Sequence, residues 1–160
     1  EELVGFVIIS TVLSLAIGSC IPGISAFAYF QMPDEIAAAI GTPLGKASGD
    51  AYFAIRNGVE NWIDLSQPRA LIAFPSYHTV VAVMLSLYVR HIRWLLVLMI
   101  PISAGIVIST PLIGGHYLID TLGGIALAFF SCWAARRIAA IPLAAPDGLE
   151  KRAVAAEMAA

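Results

Sequence analysis

Two short polar segments interrupt an otherwise apolar sequence, and each contains a histidine. The first covers residues 74–79 and the second covers residues 114–120. In the second, His116 and Asp120 are four residues apart, which places both side chains on one helix face, one turn from each other. A carboxylate in that position can hold one tautomer of an imidazole and stabilise its charge. The spacing therefore indicates a histidine that acts as a nucleophile or a base.

The first segment has the features of a helix start. Pro75 precedes Ser76-Tyr77-His78, and serine at this place predicts an N-cap. The free N–H groups of a helix N-terminus bind anions, of which phosphate is the common example. A protonated His78 at that position could donate a proton to a leaving oxygen. The alternative is a capped helix whose histidine only lies at the headgroup boundary.

The composition is that of an integral membrane protein. Of the 160 residues, 59% are hydrophobic and only 12% are charged, with a mean hydropathy of +0.86. A soluble domain carries about a quarter charged residues. Histidine and aspartate are costly inside a membrane segment, so their presence is by itself a reason to look for function. No basic patch suited to a phosphate backbone is present, so nucleic acid is not expected as a partner.

The hydrophobic pattern predicts an all-α fold, a polytopic bundle of transmembrane helices. A span needs about 20 apolar residues. Four stretches meet this requirement: 3–21, 71–89, 94–112 and 117–135. Apolar residues at helical spacing predict an additional interfacial amphipathic helix at 50–65, anchored by Trp62. Residues 1–138 are thus predicted to form one membrane-embedded domain, followed by a cytoplasmic tail at 139–160.

The basic residues predict the orientation of this bundle. Arg90, His91 and Arg93 lie between the second and third spans, and Arg136-Arg137 follows the fourth. The positive-inside rule places both groups in the cytoplasm. The two polar segments then meet at the extracytoplasmic face, which favours a catalytic site.

Two other interpretations of the second segment stay open at this point. His116 and Asp120 could bridge two helices structurally, in a helical membrane protein without catalytic activity. They could also ligate a metal, with His78 as the one further ligand, because His91 is predicted on the opposite face. The catalytic interpretation is preferred, and it requires neither a metal nor a cofactor.

Both polar segments resemble motifs of the type 2 phosphatidic acid phosphatase superfamily, a group of membrane lipid phosphatases and phosphotransferases. Pro75-Ser76-Tyr77-His78 is similar to its Pro-Ser-Gly-His motif, with tyrosine in place of glycine. Ser109-Thr110, His116 and Asp120 match the spacing of its Ser-Arg, His, Asp motif, with threonine in place of arginine. Its Lys, six residues, Arg-Pro motif has no faithful match, and Pro68-Arg69 reverses the dipeptide.

The resemblance implies a six-helix core, and hence two further helices upstream of this sequence. It implies that His116 takes the phosphoryl group as phosphohistidine, that Asp120 orients His116, and that His78 protonates the departing alcohol.

The resemblance also implies a phosphate-binding group around these three residues. Ser76, Tyr77 and neighbouring backbone amides would bind the phosphate oxygens. Thr110 cannot replace the charge of the missing arginine, so Arg56 or Arg69 is expected to supply it.

A lipid phosphate phosphatase acting at the extracytoplasmic face is therefore predicted. The motif arginine is similarly missing in the branch that contains inositol phosphorylceramide synthase and the sphingomyelin synthases. Because those enzymes transfer a head group to a lipid alcohol, the resemblance makes head-group transfer the close alternative. The expected partners are a lipid phosphate substrate and the bilayer, and a homo-oligomer stays open.

Overall fold

All the regular secondary structure in the part of the chain that the structure describes is helical. A computed structural model describes residues 1–30, 33, 35, 44–60, 72–112 and 115–141, and no strand occurs among them. The helices are α1 (Glu2–Cys20), α2 (Ala26–Tyr29), α3 (Leu44–Arg56), α4 (Tyr77–Val89), α5 (Arg93–Leu112) and α6 (Leu118–Ala139). The predicted all-α class is confirmed.

Three of these helices are long and apolar enough to cross a membrane, namely α1, α5 and α6. They coincide with the spans predicted at 3–21, 94–112 and 117–135. Helix α6 continues past 135 through Arg136 and Arg137, which lie in its last turn. Basic side chains are favourable there because they face the negative end of the helix dipole.

The span predicted at 71–89 is wrong at its start. Helix α4 begins at Tyr77 and has 13 residues, or about 20 Å at 1.5 Å per residue, which is shorter than the hydrocarbon core. Pro75 explains the difference, because the residue before a proline avoids helical torsions and proline itself has no N–H to donate. Residues 72–76 approach the helix as irregular backbone instead.

The helix predicted at 50–65 is also displaced, since α3 runs from Leu44 to Arg56. It ends in a Schellman motif centred on Gly58, which has a φ of 70°. The Gly58 N–H donates to the Ile55 carbonyl (3.1 Å) and the Val59 N–H donates to the Ala54 carbonyl (2.9 Å). This hydrogen-bond pattern closes a helix, and glycine is favoured at its centre. Trp62 and the tail after residue 141 lie outside the described residues.

Small residues pack α1 against α6. Helix α1 buries a stripe of residues four apart: Phe6, Ser10, Ser14 and Gly18. Helix α6 buries Ala128, Cys132 and Ala135 in the same cluster as Phe6. Lipid tails are as apolar as leucine, so helices in a membrane associate chiefly where small side chains let their backbones approach. The two helices are antiparallel, since Glu2 of α1 lies beside Arg136 of α6.

Helix α4 fills the groove beside this pair. Val80 joins Phe6, Leu127 and Ala128 in the buried core. Helix α5 packs mainly on α4, where the Ser86 hydroxyl donates to the Ser103 hydroxyl at 3.0 Å. The bundle therefore fixes the start of α4 beside the start of α6, where the two polar segments lie.

Candidate active site

His116 lies in the connection between α5 and α6, and a backbone carbonyl holds its ring. Its Nδ1 is 2.9 Å from the carbonyl oxygen of Ala73. A carbonyl can only accept a hydrogen bond, so Nδ1 carries the proton and Nε2 keeps the free electron pair. Ala73 belongs to the irregular backbone before Pro75, where no helical N–H competes for that carbonyl. The arrangement leaves Nε2 as the nitrogen with an available electron pair.

Asp120 takes part in a different hydrogen bond from the one that the sequence suggested. Its Oδ2 accepts from the Tyr117 N–H at 2.8 Å, which caps the start of α6. The distance from Oδ2 to His116 Nδ1 is 3.7 Å, which is ion-pair range but too long for a hydrogen bond. Asp120 therefore acts on the imidazole through its charge, while Ala73 makes the hydrogen bond.

The surroundings of His116 favour its neutral form. Burial lowers the pKa of His116 below the ordinary value, and this outweighs the opposite effects of the Ala73 carbonyl and Asp120. An ordinary histidine titrates at about 6.5. At neutral pH the ring is therefore uncharged and able to attack an electrophile.

His78 is the second residue of α4, and its ring lies beside that of His116. The two ring centroids are 5.7 Å apart and the planes meet at 67°. His78 is exposed, whereas the His116 side chain is only 14% exposed. The two histidines predicted to share one face are brought together, at a separation where both can reach one phosphate group.

Ser76 is the N-cap of α4, as predicted, although its hydroxyl makes no capping bond. The residue is fully buried, and its N–H donates to the Asp120 carbonyl at 3.0 Å. Its Oγ has no hydrogen-bond partner among the described residues. This main-chain bond joins the two polar segments directly.

Tyr77 directs its side chain toward α1, where its hydroxyl shares a hydrogen bond of 2.8 Å with the hydroxyl of Thr11.

The first backbone N–H groups of any helix lack intrahelical partners. In α4 these are the amides beside His78, and free amides at a helix N-terminus suit the binding of an anion.

Two adjacent glycines of α6, which sequence reasoning missed, allow the close approach of these segments. A Cβ on Gly124 would lie 2.5 Å from the Ser76 carbonyl oxygen and 2.8 Å from Thr79 Cβ. A Cβ on Gly123 would lie 2.5 Å from the Phe74 ring. The available signal was a Gly-Gly pair inside an apolar span, where glycine weakens a helix unless packing requires it.

Arg56 is exposed at the end of α3. It does not contact the two histidines directly but is linked to their surroundings through a series of residue contacts. Its Nη1 donates to the Tyr52 hydroxyl at 2.8 Å, and that hydroxyl donates to the Pro22 carbonyl at 3.1 Å. The next residue, Gly23, lies against Ala73, the residue that holds His116. Arg56 is thus linked to the backbone segment that contacts His116. Arg69 lies outside the described residues.

Thr110, which stands where the motif has arginine, is engaged within its own helix. Its hydroxyl donates to the Ile106 carbonyl at 2.6 Å.

Among residues 1–30, 44–60, 72–112 and 115–141, no three His, Cys, Asp or Glu side chains form a group that could hold a metal ion.

Comparison with known proteins confirms the family that the sequence motifs predicted. The model of the PAP2 superfamily matches residues 1–134. No curated protein and no solved structure matches the chain significantly. Because the family model covers most of the chain, this integral membrane protein belongs to the PAP2 superfamily, whose members are phosphatases and phosphotransferases.

Proposed function

We propose that the protein hydrolyses a lipid phosphate ester through a phosphohistidine on His116, at the extracytoplasmic face and without a metal ion. The observation that carries the proposal is the hydrogen bond between His116 Nδ1 and the Ala73 carbonyl (2.9 Å). It fixes the tautomer in which Nε2 is free, and burial keeps that ring neutral.

In the first step, His116 Nε2 attacks phosphorus, and a P–N bond forms as the P–O bond to the lipid alcohol breaks. Protonated His78 gives its proton to the departing oxygen. The phosphorylated ring keeps its Nδ1–H and becomes cationic. Asp120 lies 3.7 Å from Nδ1 and stabilises this positive charge. Because the resting ring is neutral, the Asp120 carboxylate stabilises the transition state more than the ground state.

In the second step, neutral His78 removes a proton from a water molecule as that water attacks phosphorus. The P–N bond breaks, inorganic phosphate leaves, and His116 returns to its starting form. An acceptor alcohol in place of water would complete a transfer reaction, so the two activities share the first step.

The surface next to His116 supports a lipid as substrate. Leu118 and Ile119 lie two and three residues after His116 and are 65% and 63% exposed. Phe30, whose ring centroid is 6.4 Å from that of Tyr117, is 69% exposed. Exposed apolar side chains of this kind suit acyl chains beside a phosphate bound at the histidines.

Trapping the covalent intermediate tests the proposal. The purified protein would be mixed with phosphatidic acid labelled at its phosphate, quenched rapidly in alkali and analysed for protein-bound label. We expect label that survives alkali and is released by acid, the behaviour of a phosphoramidate. His116→Ala should carry none, whereas the exposed control His91→Ala should label normally.

Adding ceramide, or diacylglycerol whose acyl chains differ from those of the labelled phosphatidic acid, shows whether the phosphoryl group goes to water or to an alcohol. Turnover by the wild-type protein with no label at His116 would overturn the phosphohistidine mechanism.

A further inference from the structure

A cavity lies at the other end of α4 and α6 from the two histidines. It has a volume of about 440 Å³ and opens between the last turn of α4 and the second half of α6. From Leu118 to Arg136, α6 rises about 27 Å at 1.5 Å per residue, close to the thickness of the hydrocarbon core. The cavity therefore lies near the opposite membrane surface from His116.

This cavity combines positive charge with an apolar wall. Its cationic side chains are Arg90, Arg136 and Arg137, and its wall includes Leu87, Phe129 and Trp133. We refer to it as the arginine pocket. Phe129 and Trp133 are each 55% exposed, so the wall continues from the guanidinium groups toward the surrounding lipid.

Contacts around the pocket hold each guanidinium in place. The Arg137 Cζ lies 5.9 Å from the centre of the Trp133 ring, within the range of a cation–π interaction. Arg136 Nε is 3.8 Å from a carboxylate oxygen of Glu2, and Arg90 donates to a carbonyl of its own helix at 3.3 Å. The Glu2 carboxylate balances one of the three positive charges. The pocket thus presents positioned donors and an excess of positive charge.

We propose that the arginine pocket binds the head group of an anionic phospholipid from the leaflet opposite the catalytic histidines. Arginine guanidinium groups match phosphate oxygens in geometry and charge. Basic pockets between transmembrane helices bind anionic head groups for this reason. A soluble phosphate would use the arginines but would gain nothing from Phe129 and Trp133, whereas a lipid also places an acyl chain along them. The proposal does not depend on the chemistry assigned to His116.

Tryptophan quenching tests the proposal, because the pocket contains its own reporter. The full chain would be prepared with Trp133 as its single tryptophan (Trp62→Phe, Trp94→Phe), and separately with Trp94 as its single tryptophan. Trp94 is the second residue of α5 and is 71% exposed, so it reports ordinary lipid contact. Both proteins would be reconstituted in phosphatidylcholine vesicles containing a minor fraction of brominated phosphatidylglycerol.

We expect Trp133 to report brominated phosphatidylglycerol enriched at least about fivefold over its bulk fraction, the effect of one basic residue near an anionic lipid. Trp94 should report the bulk fraction. The double variant Arg136→Gln, Arg137→Gln should remove the enrichment, whereas Arg93→Gln, outside the pocket, should leave it unchanged. Circular dichroism would check folding. If the double variant unfolds through loss of the Glu2 contact, Arg137→Gln alone should still reduce the enrichment.

Three results would overturn the proposal. The first is equal quenching of Trp133 and Trp94, and the second is equal enrichment of brominated phosphatidylcholine. The third is displacement of the lipid by inorganic phosphate at a comparable concentration, which would assign the pocket to a soluble anion.

Discussion

The two histidines of the site lie side by side, yet their surroundings differ in ways that suit different tasks. His116 is largely buried, is hydrogen-bonded to the Ala73 carbonyl and has a lowered pKa. His78 is exposed in the first turn of a helix. A nucleophile needs one tautomer and a neutral ring, whereas a general acid must regain a proton in each cycle. The difference between the two environments therefore supports a division of labour in which only His116 forms the covalent bond.

The largest effect should come from removing the buried member of this pair. His116→Ala should abolish turnover, because the covalent step depends on the unprotonated Nε2 that the hydrogen bond from Nδ1 to the Ala73 carbonyl leaves on His116. The measurement is phosphate release from phosphatidic acid, with His91→Ala as the control. Activity within tenfold of wild type in the His116 variant would show that the two histidines do not divide the work in this way.

The charge of Asp120 should matter for both rate and pH dependence. Asp120→Asn keeps an acceptor for the Tyr117 N–H but removes the charge 3.7 Å from His116 Nδ1. We expect a loss of about 10²- to 10⁴-fold in kcat, as for loss of the carboxylate beside a catalytic histidine.

The same variant should shift the acidic limb of the pH profile. Catalysis needs neutral His116, so kcat/KM should fall as pH drops through its pKa, which burial places below the ordinary value. Asp120 raises that pKa, so Asp120→Asn should move the midpoint to still lower pH. A midpoint that moves upward would contradict the assigned electrostatic role.

Replacing the exposed histidine should give a loss that depends on the leaving group. His78→Ala should slow release of an alkyl alcohol by about 10²- to 10⁴-fold, the usual contribution of a general acid. A nitrophenyl phosphate should be affected much less, because nitrophenolate departs without protonation. Steady-state rates on both substrates measure the ratio. Equal losses would leave His78 as a phosphate-binding group only.

The distance between the histidines can be altered without touching either of them. Gly124→Ala places a Cβ against Ser76 and Thr79, so the start of α4 must move away from α6. A displacement of about 1 Å can cost about 10²-fold in rate. The matched control is Gly105→Ala in α5, where a new Cβ meets no atom within 4 Å. Equal activity of the two variants would mean that this helix contact does not set the geometry.

The smallest effect is expected at Arg56, which supports the site from a distance. Arg56→Lys loses the planar group that binds and stacks on Tyr52, and a lysine is a point charge on a flexible stem. We expect a loss of about tenfold in kcat/KM, the equivalent of one ordinary hydrogen bond to a charged group. Tyr52→Phe should reproduce it if Arg56 acts through that hydroxyl. A normal rate for Arg56→Lys would remove this arginine from the site.

Several features of this protein follow from residue types and spacing alone. The spans α1, α5 and α6 could be predicted because a long apolar run cannot stay in water and satisfies its backbone in lipid by forming a helix. The family followed from Pro75-Ser76-Tyr77-His78 and from the spacing of His116 and Asp120, which are local in sequence. The proximity of His78 and His116 followed from counting basic residues in the connecting loops.

Other features were decided only by how the helices pack. The partner of His116 Nδ1 is a backbone carbonyl, and every residue has one, so no residue type marks Ala73. The start of α4, the need for glycine at 124 and the gathering of Arg90 with Arg136 likewise depend on which surfaces of α4 and α6 meet. Composition determines whether a segment enters the membrane. The roles of the Ala73 carbonyl, of Gly124 and of the arginine side chains depend on neighbours that only the folded bundle supplies.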